Sequence, residues 1–426
     1  MPKIVRNTLL DYIPYGFEAE EINKINPARI FEQNTKPVRD GNIVYLCERE
    51  IRAMDNFALQ FALQKSKELD LSLKIVHPYI TYDYGPKQQF VDNQISQAKK
   101  QFQKKDLDFQ VIQQTPNDIL KNLNTAFLVI DFNPIIKRDY LKDVSYKVYE
   151  VDGHNIVPAR FVSDKQEYNA ATLRRKIYHN IHQFLTEFET SEKVEADFVL
   201  EDFIKNKLVH YAEFKNNPDI NVLSGLSKYL NLGFISSQKI ASEVIKSNAP
   251  RNDKEAFLEE LIIRKELADN FCLYASGYKD FSSIPNWAKN SLSEHRFDIK
   301  THLYSPHDFE IGKTHDKVWN AAQNQLRQTG TIHGYLRMYW AKKIMEWSLD
   351  YEEALDTAIY LNDKYAFDAP SSNGYTNILW AIGGLHDRAF ADYPVTGKIR
   401  RMTYDSIIKK YDLKKYISLY SNEINN

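Results

Sequence analysis

Gly41-Asn42-Ile43-Val44-Tyr45-Leu46-Cys47, an amphipathic stretch from Asp55 to Leu69, and Leu73-Lys74-Ile75-Val76-His77 read in succession as strand, helix and strand. The two short runs are apolar and rich in β-branched residues, whereas the stretch between them repeats its apolar positions at helical spacing. The alternation continues with a second amphipathic stretch, Gln88 to Lys105, and a third apolar run, Thr125-Ala126-Phe127-Leu128-Val129-Ile130-Asp131. Parallel strands need crossover connections, so this order predicts a parallel sheet covered by helices. From about residue 170 the strand signal fades, and helical periodicity occupies 170–190, 193–215, 234–247, 251–271, 315–347 and 350–363. A chain of 426 residues also exceeds what one core usually organises. The expectation is α/β plus all-α: a Rossmann-like parallel α/β domain over 1–168, then a helical domain over 169–426, joined near the polar segment Asp164 to Asn169.

Composition narrows the function. Lys plus Arg (56) nearly cancel Asp plus Glu (57), which removes the strong overall positive field of a general nucleic-acid binder and leaves any such affinity local. Cys47 and Cys272 allow neither a disulfide framework nor a cysteine-rich metal site, and no metal is expected. Met1 to Asn7 lacks the apolar core of a secretory signal, and no run of about 18 apolar residues occurs, so the reading is a soluble intracellular protein without a membrane partner.

The helical half carries the informative residues. All five tryptophans, Trp287, Trp319, Trp340, Trp347 and Trp380, lie there, and two belong to His333-Gly334-Tyr335-Leu336-Arg337-Met338-Tyr339-Trp340-Ala341-Lys342-Lys343-Ile344-Met345-Glu346-Trp347. Buried indoles fill core volume, but indole also gives up and regains an electron, and these sit among polar residues. Trp340 and Trp347, seven residues apart, share a helix face. Ser224-Gly225-Leu226-Ser227 places hydroxyls and a glycine just ahead of a helix, where backbone N–H groups can meet a phosphate. Glu259 and Glu260 are adjacent, so their side chains diverge by about 100° on a helix and one of them at most faces inward. Between Arg388 and Lys415, the bases Arg388, Lys398, Arg400, Arg401, Lys409, Lys410, Lys414 and Lys415 outnumber Asp392, Asp405 and Asp412, a local cationic strip.

Taken in order, these blocks resemble those of the class II photolyases, which repair cyclobutane pyrimidine dimers in DNA. The resemblance runs from Ser224-Gly225-Leu226-Ser227 through Glu259-Glu260-Leu261-Ile262-Ile263-Arg264, Asp316-Lys317-Val318-Trp319-Asn320-Ala321-Ala322-Gln323, the 333–347 block and Tyr360-Leu361-Asn362-Asp363 to Ile382-Gly383-Gly384-Leu385-His386-Asp387-Arg388 and Gly397-Lys398-Ile399-Arg400. In the N-terminal half it is carried by Arg49-Glu50-Ile51-Arg52 and Asp55-Asn56-Phe57-Ala58-Leu59.

The resemblance implies FAD in the helical domain, active as FADH−, and light-driven electron transfer to a dimer flipped out of DNA. It implies cofactor contacts from Tyr211, Ser224, Leu226, Ser227, Asn320 and Gln323, an Arg337–Asp368 ion pair over the flavin, and Asn362 near flavin N5 with Asn373 as competitor. Glu260 would hydrogen-bond the dimer in protonated or proton-sharing form, and Met338 and Trp380 would pack its apolar face. Trp340, Trp319 and Trp347, from inner to outer, would relay electrons to the flavin. Arg388, Lys398, Arg400 and Arg401 would meet DNA, bound by a monomer. Some members carry an antenna chromophore such as a deazaflavin in the N-terminal domain, and no residue pattern here assigns one.

Departures from the family pattern are Lys228, Asn231 and Leu232 after the Ser-Gly-Leu-Ser motif, and Phe390 where a tryptophan is expected. They fall more on the DNA side than on the flavin side. That keeps open a photolyase-like, cryptochrome-type light sensor without repair, and a redox flavoprotein without photobiology.

Overall fold

The computed structural model describes residues 8–13, 25–188 and 192–421. The leader reading of Met1 to Asn7 and the end of the 170–190 stretch lie outside them. A six-stranded sheet has the order β1-β6-β5-β2-β3-β4. The strands are β1 Ile30–Glu32, β2 Asn42–Leu46, β3 Leu73–Pro78, β4 Phe109–Ile112, β5 Thr125–Asp131 and β6 Lys147–Val151. All seven residues of β5 are buried, as a strand covered on both faces must be.

The sheet is parallel except at one edge, where β1 runs antiparallel to β6. Arg29 explains this exception to the all-parallel expectation. Its buried guanidinium donates to the carbonyls of Asp152, Asn155, Ile156 and Phe184, which ties the chain ahead of β1 to the end of β6 without a helical crossover. Burial pulls the Arg29 pKa down to about 10, so the charge persists at neutral pH.

The helical stretches form, but several are cut. The 315–347 pattern becomes Lys317–Thr329 and Gly334–Trp347, because Gly330 turns the chain at φ +67° and His333 caps the second helix by accepting from the Tyr335 N–H. The 251–271 pattern is one path in three pieces, Arg251–Leu258, a π-helical turn Glu259–Arg264, and Lys265–Tyr274. The extra residue of a π turn re-aims the side chains beyond it, and such turns recur at functional sites.

The expected division after residue 168 falls at Asn169, the N-cap of Ala170–Asn180. Apolar packing runs across that point: Ile43, Tyr45 and Phe57 belong to the same cluster as Leu173, Tyr229 and Leu258, while Trp319, Trp340 and Leu379 belong to a second one. Among the described residues no helix is long and apolar enough to cross a membrane.

Candidate flavin and lesion site

The tryptophans come together as an ordered stack. Trp319, on the 317–329 helix, sits between Trp340 and Trp347 of the 334–347 helix, with centroid distances of 6.4 Å to each. Trp319 and Trp340 are stacked with their planes nearly parallel, at 5°, whereas Trp347 meets Trp319 edge-on at 65°. Orientation is set by hydrogen bonds: Trp319 Nε1 donates to the Trp340 carbonyl at 3.0 Å, and Trp340 Nε1 donates to Gln323 Oε1 at 2.9 Å. Gln323 Nε2 in turn donates to the Glu310 carbonyl, and Asn320 exchanges hydrogen bonds with Thr314. The amides of Asn320 and Gln323, which the resemblance places against the cofactor, are thus engaged within the chain. Gln323 supports the stack through Trp340, and Asn320 secures the turn at Thr314.

One turn before Trp340, Arg337 meets Asp368 in a forked pair, each N–O distance 3.4 Å. The Ser224 segment is drawn to the same place: Asn231 donates to the Pro370 carbonyl, and the Lys228 ammonium lies over the rings of Phe90, Tyr229 and Phe367. Lys228, one of the departures, therefore has a packing role, and burial lowers its pKa. Gly225 has φ +70°, and Ser224 Oγ accepts from the Leu226 N–H. Tyr211 is buried against Phe203 and Phe257, and burial followed by the Glu260 charge raises its phenolic pKa.

The two adjacent glutamates diverge. Glu259 forms a forked pair with Arg174 and a single ion pair with Arg264, while Glu260, about half exposed, accepts from Lys215 Nζ at 2.7 Å. The carboxyl expected to carry or share a proton at the lesion thus has a charged donor, Lys215, beside it. Lys215 sits four residues after Tyr211, a spacing visible in the sequence only once Tyr211 is assigned.

Of the two candidates for flavin N5, Asn362 is buried, donates to Asp363 Oδ1 and lies against Gly374, where a Cβ would come within 3.0 Å of its Nδ2. Asn373 is exposed in the first turn of Ser372–Gly383. Among the buried polar atoms without a hydrogen-bond partner is His333 Nε2, on the N-cap of the helix that carries Arg337. Burial pulls His333 down to about 4, so the ring is neutral and, with Nδ1 accepting from Tyr335, its proton sits on Nε2. A fixed guanidinium, serine hydroxyls, an exposed amide and the unpartnered His333 N–H are groups that a flavin dinucleotide can use, and the site fits one.

Trp380 forms the neighbouring face. Its ring has Lys342 Nζ at 5.1 Å and the Arg400 guanidinium at 5.8 Å. Arg400 also covers Phe390 at 4.6 Å and pairs with Asp387, and Arg388 approaches Phe390 at 5.4 Å. Arg401 lies over Tyr393, and the Phe390 N–H donates to the Lys398 carbonyl. Met338 is half-buried on the 334–347 helix. Lys342 carries no signal of its own in the sequence; it is buried, donates to the Ala381 carbonyl, and burial brings its pKa down to about 7. The lysines of the distal strip are exposed: Lys409 and Lys410 end Tyr404–Lys410, and Lys414 and Lys415 begin Lys414–Leu419.

No family model matches the chain. Among curated proteins it is similar to deoxyribodipyrimidine photo-lyases: that of Potorous tridactylus at 34% identity, over 88% of this chain and 80% of the relative, and that of Arabidopsis thaliana at 33%, over 89% and 88%. The enzyme of Methanothermobacter thermautotrophicus is 29% identical, over 89% and 94%. Among solved structures, a class III photolyase from Agrobacterium tumefaciens superposes with TM-score 0.67 at 16% identity, covering 91% of this chain and 88% of that one. A Synechocystis cryptochrome superposes with TM-score 0.68 at 14%, covering 91% and 89%. The fold is thus the photolyase and cryptochrome architecture, and the extent and identity of the curated matches show that this chain belongs to the deoxyribodipyrimidine photo-lyase family.

Proposed function

We propose that the protein is a class II photolyase that repairs cyclobutane pyrimidine dimers in DNA under blue light, with residues 169–426 as the FAD-binding domain. The observation that carries this reading is the stack Trp340–Trp319–Trp347 standing one helical turn from the Arg337–Asp368 pair. The chemistry that FAD, bound as FADH−, supplies there is donation of one electron under light to a dimer and its recovery after ring opening.

The residues of the chain position and stabilise. Arg337, held in register by Asp368, offers a fixed positive charge to a reduced flavin, an interaction strengthened where water is excluded. Ser224, Leu226, Ser227 and Tyr211 line the phosphate and ribityl side. The exposed amide of Asn373 makes it the better donor toward N5 than the buried Asn362. Glu260 contacts the dimer with its charge balanced by Lys215, so a shared proton is available at the carboxyl when the dimer gains negative charge. Trp380 and Met338 present an apolar surface to the flat, poorly stacked lesion, which costs less to flip than a normal base. Phe390, clasped by Arg388 and Arg400, keeps an aromatic ring where a tryptophan is usual in the family. Arg388, Lys398, Arg400 and Arg401 meet the phosphates on either side.

The test is an absorption spectrum of protein purified in dim light, followed by repair of a thymine dimer in an oligonucleotide after reduction of the flavin. Repair in blue light and none in darkness is expected. Bound FAD with photoreduction and no repair would shift the reading to a light sensor, and flavin redox activity indifferent to light would shift it to a dark redox enzyme.

A further inference from the structure

The aromatic path does not stop at Trp347. Tyr304 stands edge-on to it at 5.9 Å, and the Tyr304 N–H donates to the Trp347 carbonyl at 2.9 Å. His315 stands at 4.7 Å from the same indole. Tyr304 and His315 are joined twice: the His315 backbone N–H donates to Tyr304 Oη at 2.9 Å, and Tyr304 Oη lies 2.8 Å from His315 Nδ1. The hydroxyl oxygen accepts from the backbone, which leaves its own proton free to point at Nδ1 when the imidazole is neutral with its proton on Nε2. Burial, then the neighbouring His302 and Lys343, depress the His315 pKa, so the ring is neutral with its proton on Nε2 and a lone pair on Nδ1. His302 stacks on His315 at 3.7 Å and 10°, and both imidazoles are exposed. A phenol with a base aimed at its proton, in contact with the outermost indole of a relay, is built for coupled loss of an electron and a proton.

We propose that the relay has a fourth member, Tyr304, with His315 as its proton acceptor. This rests on the reading of Trp340, Trp319 and Trp347 as a relay. The electron passes from Tyr304 to oxidised Trp347, restoring the indole, while the phenolic proton passes to His315 Nδ1. The products are a neutral tyrosyl radical and an imidazolium, which releases its Nε2 proton to solvent. A small thiol in solution then returns a hydrogen atom to the phenoxyl oxygen. Neutral Trp347 cannot take the electron back from the flavin side, so the pair prevents charge recombination.

Flash photolysis of the flavin-loaded protein reads this directly. The broad absorption of a tryptophan radical is expected to give way to the narrow band of a tyrosyl radical, with a rate that slows in D2O. Tyr304→Phe should abolish the narrow band and lengthen the tryptophan radical lifetime about tenfold or more. His315→Gln, which accepts a hydrogen bond but not a proton, should slow tyrosyl formation by a similar factor and remove the D2O effect. A tryptophan radical that decays identically in unaltered protein and Tyr304→Phe overturns the proposal. If no tryptophan radical forms at all, it is the relay reading that fails. Oxidation of the same protein by a ruthenium polypyridyl complex with persulfate, excited where flavin does not absorb, then tests the pair independently. A tyrosyl band that needs both Tyr304 and His315 supports it, and one that needs neither overturns it.

Discussion

At the residue scale, adjacent residues of like type have been sorted by the fold into different tasks. Glu259 is tied to Arg174 and Arg264, whereas Glu260 is left about half exposed with Lys215. Glu260→Ala is therefore expected to keep FAD bound and to lower repair by roughly tenfold, the worth of one hydrogen bond to a charged group; an unchanged repair yield would remove Glu260 from the lesion site. Trp340→Phe is expected to abolish light-driven reduction of oxidised FAD while sparing repair by chemically reduced enzyme. Its ring is also the hydrogen-bond partner of Gln323, so Gln323→Leu should disturb photoreduction without touching the cofactor. Photoreduction at the normal rate in either variant would refute the stack as the inner relay. Gln323, Lys215 and Lys342 show what single residues conceal: the motif around Gln323 is visible in the chain, but the indole it holds is 17 residues away on another helix.

At the element scale, the decisive features are breaks in helices. Gly330 ends the 317–329 helix in the left-handed region, and a Cβ there would lie 2.1 Å from the Phe367 ring. Gly330→Ala combines backbone strain with a collision and is expected to cost about 1–3 kcal/mol in chemical denaturation. Because Phe367 precedes Asp368, weaker flavin retention should accompany the destabilisation. The 265–274 helix carries a second feature, the buried acid Glu266, whose Oε1 accepts from the Ile156 N–H in the segment after β6 and whose Oε2 has no partner. Burial pushes its pKa up to about 8. A carboxyl that binds its proton more tightly folded than unfolded loses stabilising effect as pH rises from about 4.5 through 8. Glu266→Gln is therefore expected to match the unaltered protein in stability near pH 5 and to exceed it near pH 8. Equal pH profiles for the two proteins would show that the acid is ionised in the fold.

At the scale of the whole molecule, a nearly neutral chain must concentrate the charge that meets DNA. Arg388, Arg400 and Arg401 gather around Phe390, Trp380 and Tyr393, while Lys409, Lys410, Lys414 and Lys415 occupy two short C-terminal helices. Replacing those four lysines with Ala should flatten the salt dependence of DNA binding, its log–log slope falling by about one for each phosphate that the strip neutralises. An unchanged slope, measured by titration at several salt concentrations, would make that strip a solvated face and leave the Phe390 cluster to meet the phosphates.

The sequence alone determined the sheet's inner strands, the change from alternating strands to helices near residue 170, and the blocks that carry the likeness to the photolyases. Those features are local: β2, β3 and β5 are apolar runs, and helical faces repeat within a few residues. β4 and β6 escaped that reading because Phe109-Gln110-Val111-Ile112 and Lys147-Val148-Tyr149-Glu150-Val151 are short and partly polar, and β1 because its direction depends on Arg29 reaching carbonyls more than a hundred residues away. Only the tertiary structure decided that Trp319 lies between Trp340 and Trp347, that Lys215 answers Glu260, and that Tyr304 and His315 extend the aromatic path to the surface. Each is a contact between separate elements, set by how helices pack rather than by spacing along the chain.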